Sequence, residues 1–265
     1  MPMAVSPELT AKKQKAEAAI ADIFARQQPV YLSMSGGKDS LVILKLCEPH
    51  QGRFKLVWSN TGYTFPHVEA LVRRHGERFG LVELKSDLML AWEASGLPSE
   101  VITVPDFFSG EKGMRLQPWP MCCTASKAFP VKVFCQNHAG PLTLLHGQRK
   151  ADDWRFSGKN DQTPPHVTVV SPIEDWTDED VFAFADAEGV ELPSHYSEVP
   201  DSLDCWICPA HWSGEHAQAY GRYVSREYPE FARAVVPTAR KIHAHINDTA
   251  MRMQQALAAT GGIDA

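Results

Sequence analysis

From Tyr31 to Leu46 the chain reads YLSMSGGKDSLVILKL: a short apolar run, a glycine turn, and a second apolar run. This stretch constrains the fold more than any other. Val30–Met34 reads as a buried strand and Asp39–Cys47 as a helix, with Ser35-Gly36-Gly37-Lys38-Asp39-Ser40 between them. A strand-to-helix turn is where an open α/β sheet places its ligand. Paired glycines let the backbone take positive φ and come close to an anion. The N–H groups that open the helix then point at phosphate oxygens. Lys38 adds a point charge, and Ser35 and Ser40 add hydroxyl donors. A bare Gly-Gly turn would serve as a simple connection; this one carries a lysine, an acid and two serines.

The rest of the chain repeats the alternation. Residues 7–27 place Leu9, Ala16, Ala19, Ile20, Ile23 and Phe24 at helical spacing. Strands are expected over Phe54–Trp58, Leu81–Leu84, Leu142–His146 and Val167–Val170. Helices are expected over Pro66–Phe79, Ala125–Asn137, Asp178–Glu188 and Gly214–Glu227, with a last one from about Pro237 to Ala258. Leu97–Trp119, rich in Pro, Gly and Phe, reads as an irregular loop or lid. The expected fold is α/β: a mainly parallel sheet of five or six strands with helices on both faces, plus a small helical C-terminal region. Residues 1–200 would form the nucleotide-binding domain, and 201–265 a cysteine-containing helical region packed on it.

Composition narrows the class. The chain is 265 residues long and 44% hydrophobic, enough for a sizeable core. No stretch approaches 18 uninterrupted apolar residues, so no membrane span is expected. The N-terminal residues lack the pattern of a secretory signal, and the expected location is cytoplasmic. A net charge of −6 argues against a general nucleic-acid coat. Between residues 111 and 159, however, eight Lys or Arg stand against three Asp or Glu. That segment reads either as a solvated basic face or as a pocket for a polyanion.

Cys122-Cys123 and Cys205-Trp206-Ile207-Cys208 form two close pairs. In a reducing compartment, clustered cysteines suggest metal or redox chemistry rather than disulfides. Four thiolates could hold a [4Fe–4S] cluster or Zn²⁺. Adjacent cysteines suit a zinc knuckle poorly. Cys47 and Cys135 lie on apolar helix faces and read as buried core thiols.

These motifs resemble known families. SGGKDS is not the GxxxxGK(S/T) loop of kinases and GTPases. It resembles the loop of the adenine-nucleotide alpha-hydrolase-like, or PP-loop ATP pyrophosphatase, superfamily. Such enzymes split ATP between its α and β phosphates, adenylate an oxygen and release pyrophosphate. The resemblance implies that Asp39 helps hold Mg²⁺. Asn60-Thr61-Gly62-Tyr63-Thr64-Phe65-Pro66 resembles the D-T-G-Y-x-F-P stretch of phosphoadenylyl-sulfate and adenylyl-sulfate reductases, with Asn60 in place of Asp. The two cysteine pairs resemble those of the cluster-binding adenylyl-sulfate reductases. That likeness implies a [4Fe–4S] cluster on Cys122, Cys123, Cys205 and Cys208, with Lys127 near it. His146-Gly147-Gln148-Arg149, with Asp152, Asp153 and Arg155, is similar to the family's G-x-R-x-x-D/E-S-x-x-R stretch, although Asp153 replaces Ser and Arg155 comes one position early. It implies Arg149 and Arg155 as oxyanion clamps. Thr177, with Asp180 three residues on, reads as a structural helix cap. The resemblance spans roughly residues 30–210.

Two features separate the chain from the reductases. Their nucleophilic cysteine stands in a C-terminal E-C-G-x-H stretch, and this sequence has no cysteine after Cys208. Reductases also commonly lack the full SGGKDS loop. The expected function is therefore ATP-dependent adenylation coupled to sulfur transfer, with ATP, Mg²⁺ and a [4Fe–4S] cluster. Lys38, Asp39 and Arg149 are the expected catalytic residues. Ser33, Ser35, Gly36, Gly37, Ser40, Thr61, Gly62 and Arg155 join them in nucleotide binding. The expected partners are an adenine nucleotide, an anionic acceptor such as a nucleic acid or nucleotide, a sulfur-donor protein and a second copy of the chain. A thioredoxin-dependent sulfonucleotide reductase is the first alternative, and a non-catalytic nucleotide-sensing subunit the second.

Overall fold

The structure is a computed structural model that describes residues 6–101, 114–152 and 163–259. In chain order it runs α1 (Pro7–Ala25), β1 (Val30–Ser33), α2 (Lys38–Cys47), β2 (Phe54–Asn60), α3 (Pro66–Phe79), β3 (Leu81–Lys85) and α4 (Leu88–Ser95). It continues with β4 (Leu97–Ser99), β5 (Leu116–Pro118), α5 (Trp119–Cys123), α6 (Phe129–Gln136), β6 (Leu142–Leu145) and β7 (Val167–Val170). The last elements are α7 (Asp178–Ala187), α8 (Ala217–Glu227) and α9 (Pro229–Ala258). The chain divides into two compact units, Met1–Leu88 with Cys123–Trp206 and Met89–Cys122 with Ile207–Ala265.

The first unit holds a parallel sheet of five strands in the order β3-β2-β1-β6-β7. Side chains alternate across it, as pleating requires. Val30 and Leu32 of β1, with Phe54, Leu56 and Trp58 of β2, join the core formed with α1, α2, α3 and α7. Tyr31, Val57, Leu142 and Leu144 join a second core that contains Val131, Phe134 and Cys135 of α6. Both faces of the sheet are therefore covered, as in most parallel sheets. Ser6 starts α1 by accepting a hydrogen bond on its Oγ from the Leu9 N–H at 3.0 Å. The chain leaves β1 for β2 and β3 on one side of the sheet, and later for β6 and β7 on the other. The carboxyl ends of β1 and β6 thus flank the point where strand order reverses.

The second unit pairs β4 with β5 in parallel and packs α8 on α9. Three sequence expectations are corrected here. The ends of Leu97–Trp119 are a paired pair of strands rather than irregular loop, with residues 102–113 outside the described residues. The last helix begins at Pro229 and carries Pro237 inside it. Pro229 at the first turn has no helical N–H to lose, so the helix starts one proline earlier than expected. The single helix expected over Ala125–Asn137 is a π turn over Thr124–Ala128 followed by α6. Among the described residues no helix is long and apolar enough to cross a membrane.

Candidate functional site

The site lies within the first unit, at the carboxyl ends of β1, β2 and β6. Gly36 has φ +81°, and a Cβ there would lie 2.7 Å from Val68 Cγ1 of α3. Only glycine fits that turn without strain. Gly37 caps α2 with extended backbone. Its N–H donates to Ser35 Oγ at 3.2 Å, and Ser40 Oγ donates to the Gly37 carbonyl at 2.9 Å. The Lys38 N–H, first of the helix, donates to Tyr196 Oη at 3.1 Å, and that hydroxyl lies 3.1 Å from Ser202 Oγ.

Behind the loop is a compact charge cluster. Lys38 Nζ lies 3.2 Å from Asp39 Oδ2 and 3.0 Å from Asp178 Oδ1. Arg149 reaches three carboxylates through three nitrogens: Nε to Asp39 Oδ1 at 3.1 Å, Nη1 to Asp178 Oδ1 at 2.9 Å and Nη2 to Asp152 Oδ1 at 3.0 Å. The Arg149 backbone N–H also donates to Asp152 Oδ2 at 2.7 Å. Two cations therefore meet three carboxylates. Burial opposes the charge on Lys38 and Arg149, but the carboxylates outweigh it and hold both pKa values above their ordinary range. Burial raises the pKa of Asp39, with Lys38 and Arg149 opposing. Burial also works against ionised Asp178, yet the hydrogen bond from Lys38 and the nearby cations keep its pKa low.

Ser33, Ser35, Asp39, Thr61 and Lys127 line a cleft of about 660 Å³, whose apolar wall includes Met34, Trp58, Val131, Leu144 and Val167. Its size and mixed lining suit a small organic ligand. His146 is also on the wall. Burial pushes its pKa down to about 4, with Asp152 opposing, so the imidazole is neutral at pH 7. Its Nδ1 is buried, with no hydrogen-bond partner among the described residues.

The second motif meets one of the cysteine pairs. Thr64 bridges Cys205 in antiparallel fashion, and the Trp206 N–H donates to the Tyr63 carbonyl at 2.9 Å. Thr61 Oγ1 lies 3.3 Å from Cys205 Sγ. Asn60 accepts from the exposed Gly62 N–H at 2.8 Å and donates through Nδ2 to Glu83 Oε1 at 2.7 Å. The substituted amide therefore has its own partner, one that an aspartate would repel. Lys127, on the π turn, pairs with Asp204 at 2.5 Å. Burial opposes its charge, but Asp204 and the Cys123 and Cys205 sulfurs hold its pKa well above normal.

Each unit carries one cysteine of each pair: Cys123 and Cys205 in the first, Cys122 and Cys208 in the second. Among the described residues none of the four is joined in a disulfide. Among the described residues no three His, Cys, Asp or Glu side chains are grouped to hold a metal ion. Both Asp39 oxygens already face cations, Oδ2 facing Lys38 and Oδ1 facing Arg149. Arg155 lies outside the described residues. Much of the basic segment is internally neutralised: Lys127 pairs with Asp204, Lys150 with Asp175, and Arg149 with the cluster. Sequence reasoning missed Asp178, Tyr196, Ser202 and Asp204. None belongs to a motif; Asp178, Tyr196 and Asp204 meet residues distant in the chain, and Ser202 joins them through Tyr196.

Fold and site together define a PP-loop, adenine-nucleotide alpha-hydrolase-like protein. The chain belongs to the phosphoadenosine phosphosulfate reductase domain family, which it matches over residues 29–211. It is 28% identical to a sulfate adenylyltransferase subunit 2 of Streptomyces lavendulae, over 71% of this chain and 63% of that protein. It is 25% identical to an adenosine 5'-phosphosulfate reductase of Deinococcus radiodurans, over 71% of this chain and 69% of that one. The chain thus spans a little under two thirds of the Streptomyces protein's length. Among solved structures, a phosphoadenylyl-sulfate reductase from Candida auris is similar, with a TM-score of 0.49 and 15% identity, covering 78% of this chain and 98% of that one. The named relatives are enzymes of sulfur metabolism.

Proposed function

We propose that the protein binds ATP at Ser35–Ser40, transfers the adenylyl group to an oxygen of its acceptor and releases pyrophosphate, in service of sulfur transfer. The observation that carries this reading is the convergence of Lys38 and Arg149, one from the glycine loop and one from the loop after β6, on a single carboxylate oxygen of Asp178. Two fixed cations sharing one oxygen suit the negative charge that builds on a departing pyrophosphate. Ser33, Ser35 and Thr61 on the cleft wall would orient the nucleotide, and the apolar wall would take its base. The name of one relative, a sulfate adenylyltransferase subunit, describes adenylyl transfer.

The reductase reading is supported by the Deinococcus relative. Against it, burial pushes the Cys47 thiol up to about 12 and the Cys135 thiol up to about 11. Neither supplies a thiolate at neutral pH.

The cysteine pattern, and the Lys127 ammonium beside Cys123 and Cys205, support a [4Fe–4S] cluster. Mg²⁺ would arrive with the nucleotide's phosphates. Iron and acid-labile sulfide in anaerobically purified protein test the cluster: about four of each per chain supports it, and zinc or no metal removes it from the account. Pyrophosphate release from ATP, with sulfate as the first acceptor, tests the chemistry. The reading expects release that Lys38→Ala abolishes; equal turnover by that variant contradicts it.

A further inference from the structure

The cluster of Lys38, Arg149, Asp39, Asp152 and Asp178 is closed on itself, and its three carboxylates are not equivalent. Asp152 is an anchor: it holds both the Arg149 guanidinium and the Arg149 backbone N–H. Asp39 follows Lys38 in the first turn of α2 and faces both cations with separate oxygens. Asp178 differs. It comes from α7, its side chain is 58% exposed while those of Lys38 and Arg149 are 8% and 6% exposed, and its single Oδ1 bridges both cations. That oxygen lies 3.0 Å from the ammonium and 2.9 Å from the guanidinium as an ion pair, yet among the described residues Arg149 Nη1 makes no hydrogen bond, which leaves the charge-assisted bond for a phosphate oxygen to make.

Asp178 also has an alternative place to rest. It is the first residue of α7, behind the cap in which Thr177 Oγ1 accepts from the Asp180 N–H. A carboxylate in the first turn of a helix is favoured by the unpaired N–H groups there. Swinging away from the two cations would leave it solvated and still favourably placed.

We infer that Asp178 is an exchangeable placeholder: it occupies the phosphate position while the site is empty, and an incoming polyphosphate displaces it. This rests on reading the glycine loop as a phosphate seat. The ligand class follows from the exchange. A ligand must out-compete a carboxylate for two cations already neutralised, which a multiply charged pyrophosphate group does better than a singly charged sulfate ester. The placeholder thereby sets a threshold that favours nucleoside triphosphates.

The test is equilibrium binding of inorganic pyrophosphate, and of ATP, to the full chain in EDTA. Wild type is compared with Asp178→Asn, Asp178→Ser, Asp152→Asn and Lys38→Ala. Serine also starts helices well, so Asp178→Ser guards against an asparagine that keeps the bridging contact. The inference expects both Asp178 variants to bind pyrophosphate tenfold or more tightly than wild type. Asp152→Asn, which loosens Arg149, is expected to gain nothing. Equal gains from Asp178→Asn and Asp152→Asn would mean that net charge alone matters, and would overturn the placeholder. So would Asp178 variants no tighter than wild type; if Lys38→Ala still abolished wild-type binding, the phosphate-seat reading would survive that result. Absence of binding by wild type and both Asp178 variants would overturn both.

Discussion

Gly147 runs so close to Asp39 that a Cβ at position 147 would lie 2.8 Å from Asp39 Cβ and 2.9 Å from its backbone carbon. That approach joins the loop after β6 to the first turn of α2, and so brings Arg149 to Lys38. A methyl group there cannot be relieved by rotating a flexible side chain. Gly147→Ala is expected to cost about 1–3 kcal/mol of stability, as overpacking does, and to weaken nucleotide binding beyond that loss. Denaturant titration and ATP binding on the same preparation check this; undiminished ATP affinity would show that the two loops need not touch.

Arg149 uses three nitrogens on three carboxylates. A lysine offers one ammonium and cannot span them. Arg149→Lys is expected to lower turnover of ATP by roughly 100-fold, the scale of losing one oriented charge stabiliser. Steady-state pyrophosphate release checks this, and near wild-type turnover would mean that the guanidinium's shape is irrelevant.

Asn60 donates to Glu83 Oε1 at 2.7 Å. Asn60→Asp would set two carboxylates against each other, even with Arg73 beside Glu83. Arg73 and Asn60 hold the Glu83 pKa below its ordinary value, so Glu83 is ionised at pH 7. The variant is expected to lose about 1–2 kcal/mol at pH 7. The loss should shrink as the pH falls toward about 4, the ordinary carboxylate range, and one carboxylate takes a proton. Urea unfolding at the two pH values checks the sign; a loss that does not change with pH contradicts it.

His195 is buried, and it donates to or accepts from His67, ring nitrogen to ring nitrogen, at 3.0 Å. Burial, and then the neighbouring His67, push its pKa down to about 3. In the unfolded chain an imidazole binds its proton near pH 6.5. Between those values the unfolded state holds more protons, so stability is full above 6.5 and falls as the pH drops toward 3. The expected loss is about 1.4 kcal/mol per pH unit for this histidine alone. His146, held at about 4, adds to it over most of the same range. His195→Gln should flatten the profile between pH 6.5 and 5 by about one proton, and an unchanged slope would place the lost protons elsewhere.

The local parts of this structure were readable before the fold. The expected span of α3, Pro66–Phe79, matches its observed bounds, and the capping box of Thr177 and Asp180 is present. Both depend on neighbours in sequence. Lys38 and Arg149 were legible because each belongs to a motif. Asp178 was legible only as a helix-start carboxylate, since Lys38 and Arg149 reach it through the order of strands in the sheet rather than through spacing. Tyr196 and Ser202 sit outside any repeat or motif, and only tertiary packing brings their hydroxyls to the start of α2. The long helix begins at Pro229, eight residues before the expected start near Pro237, and it runs through Pro237, which local helix propensity disfavours in a helix interior.

The most direct test of the account is calorimetric binding of a non-hydrolysable ATP analogue with Mg²⁺, of adenylyl sulfate and of phosphoadenylyl sulfate to anaerobically purified protein. The account predicts that the ATP analogue binds at least tenfold more tightly, a difference of about 1.4 kcal/mol, and that Lys38→Ala removes the preference. A sulfonucleotide that wins by that margin would contradict it and turn the glycine loop into the seat of a reductase.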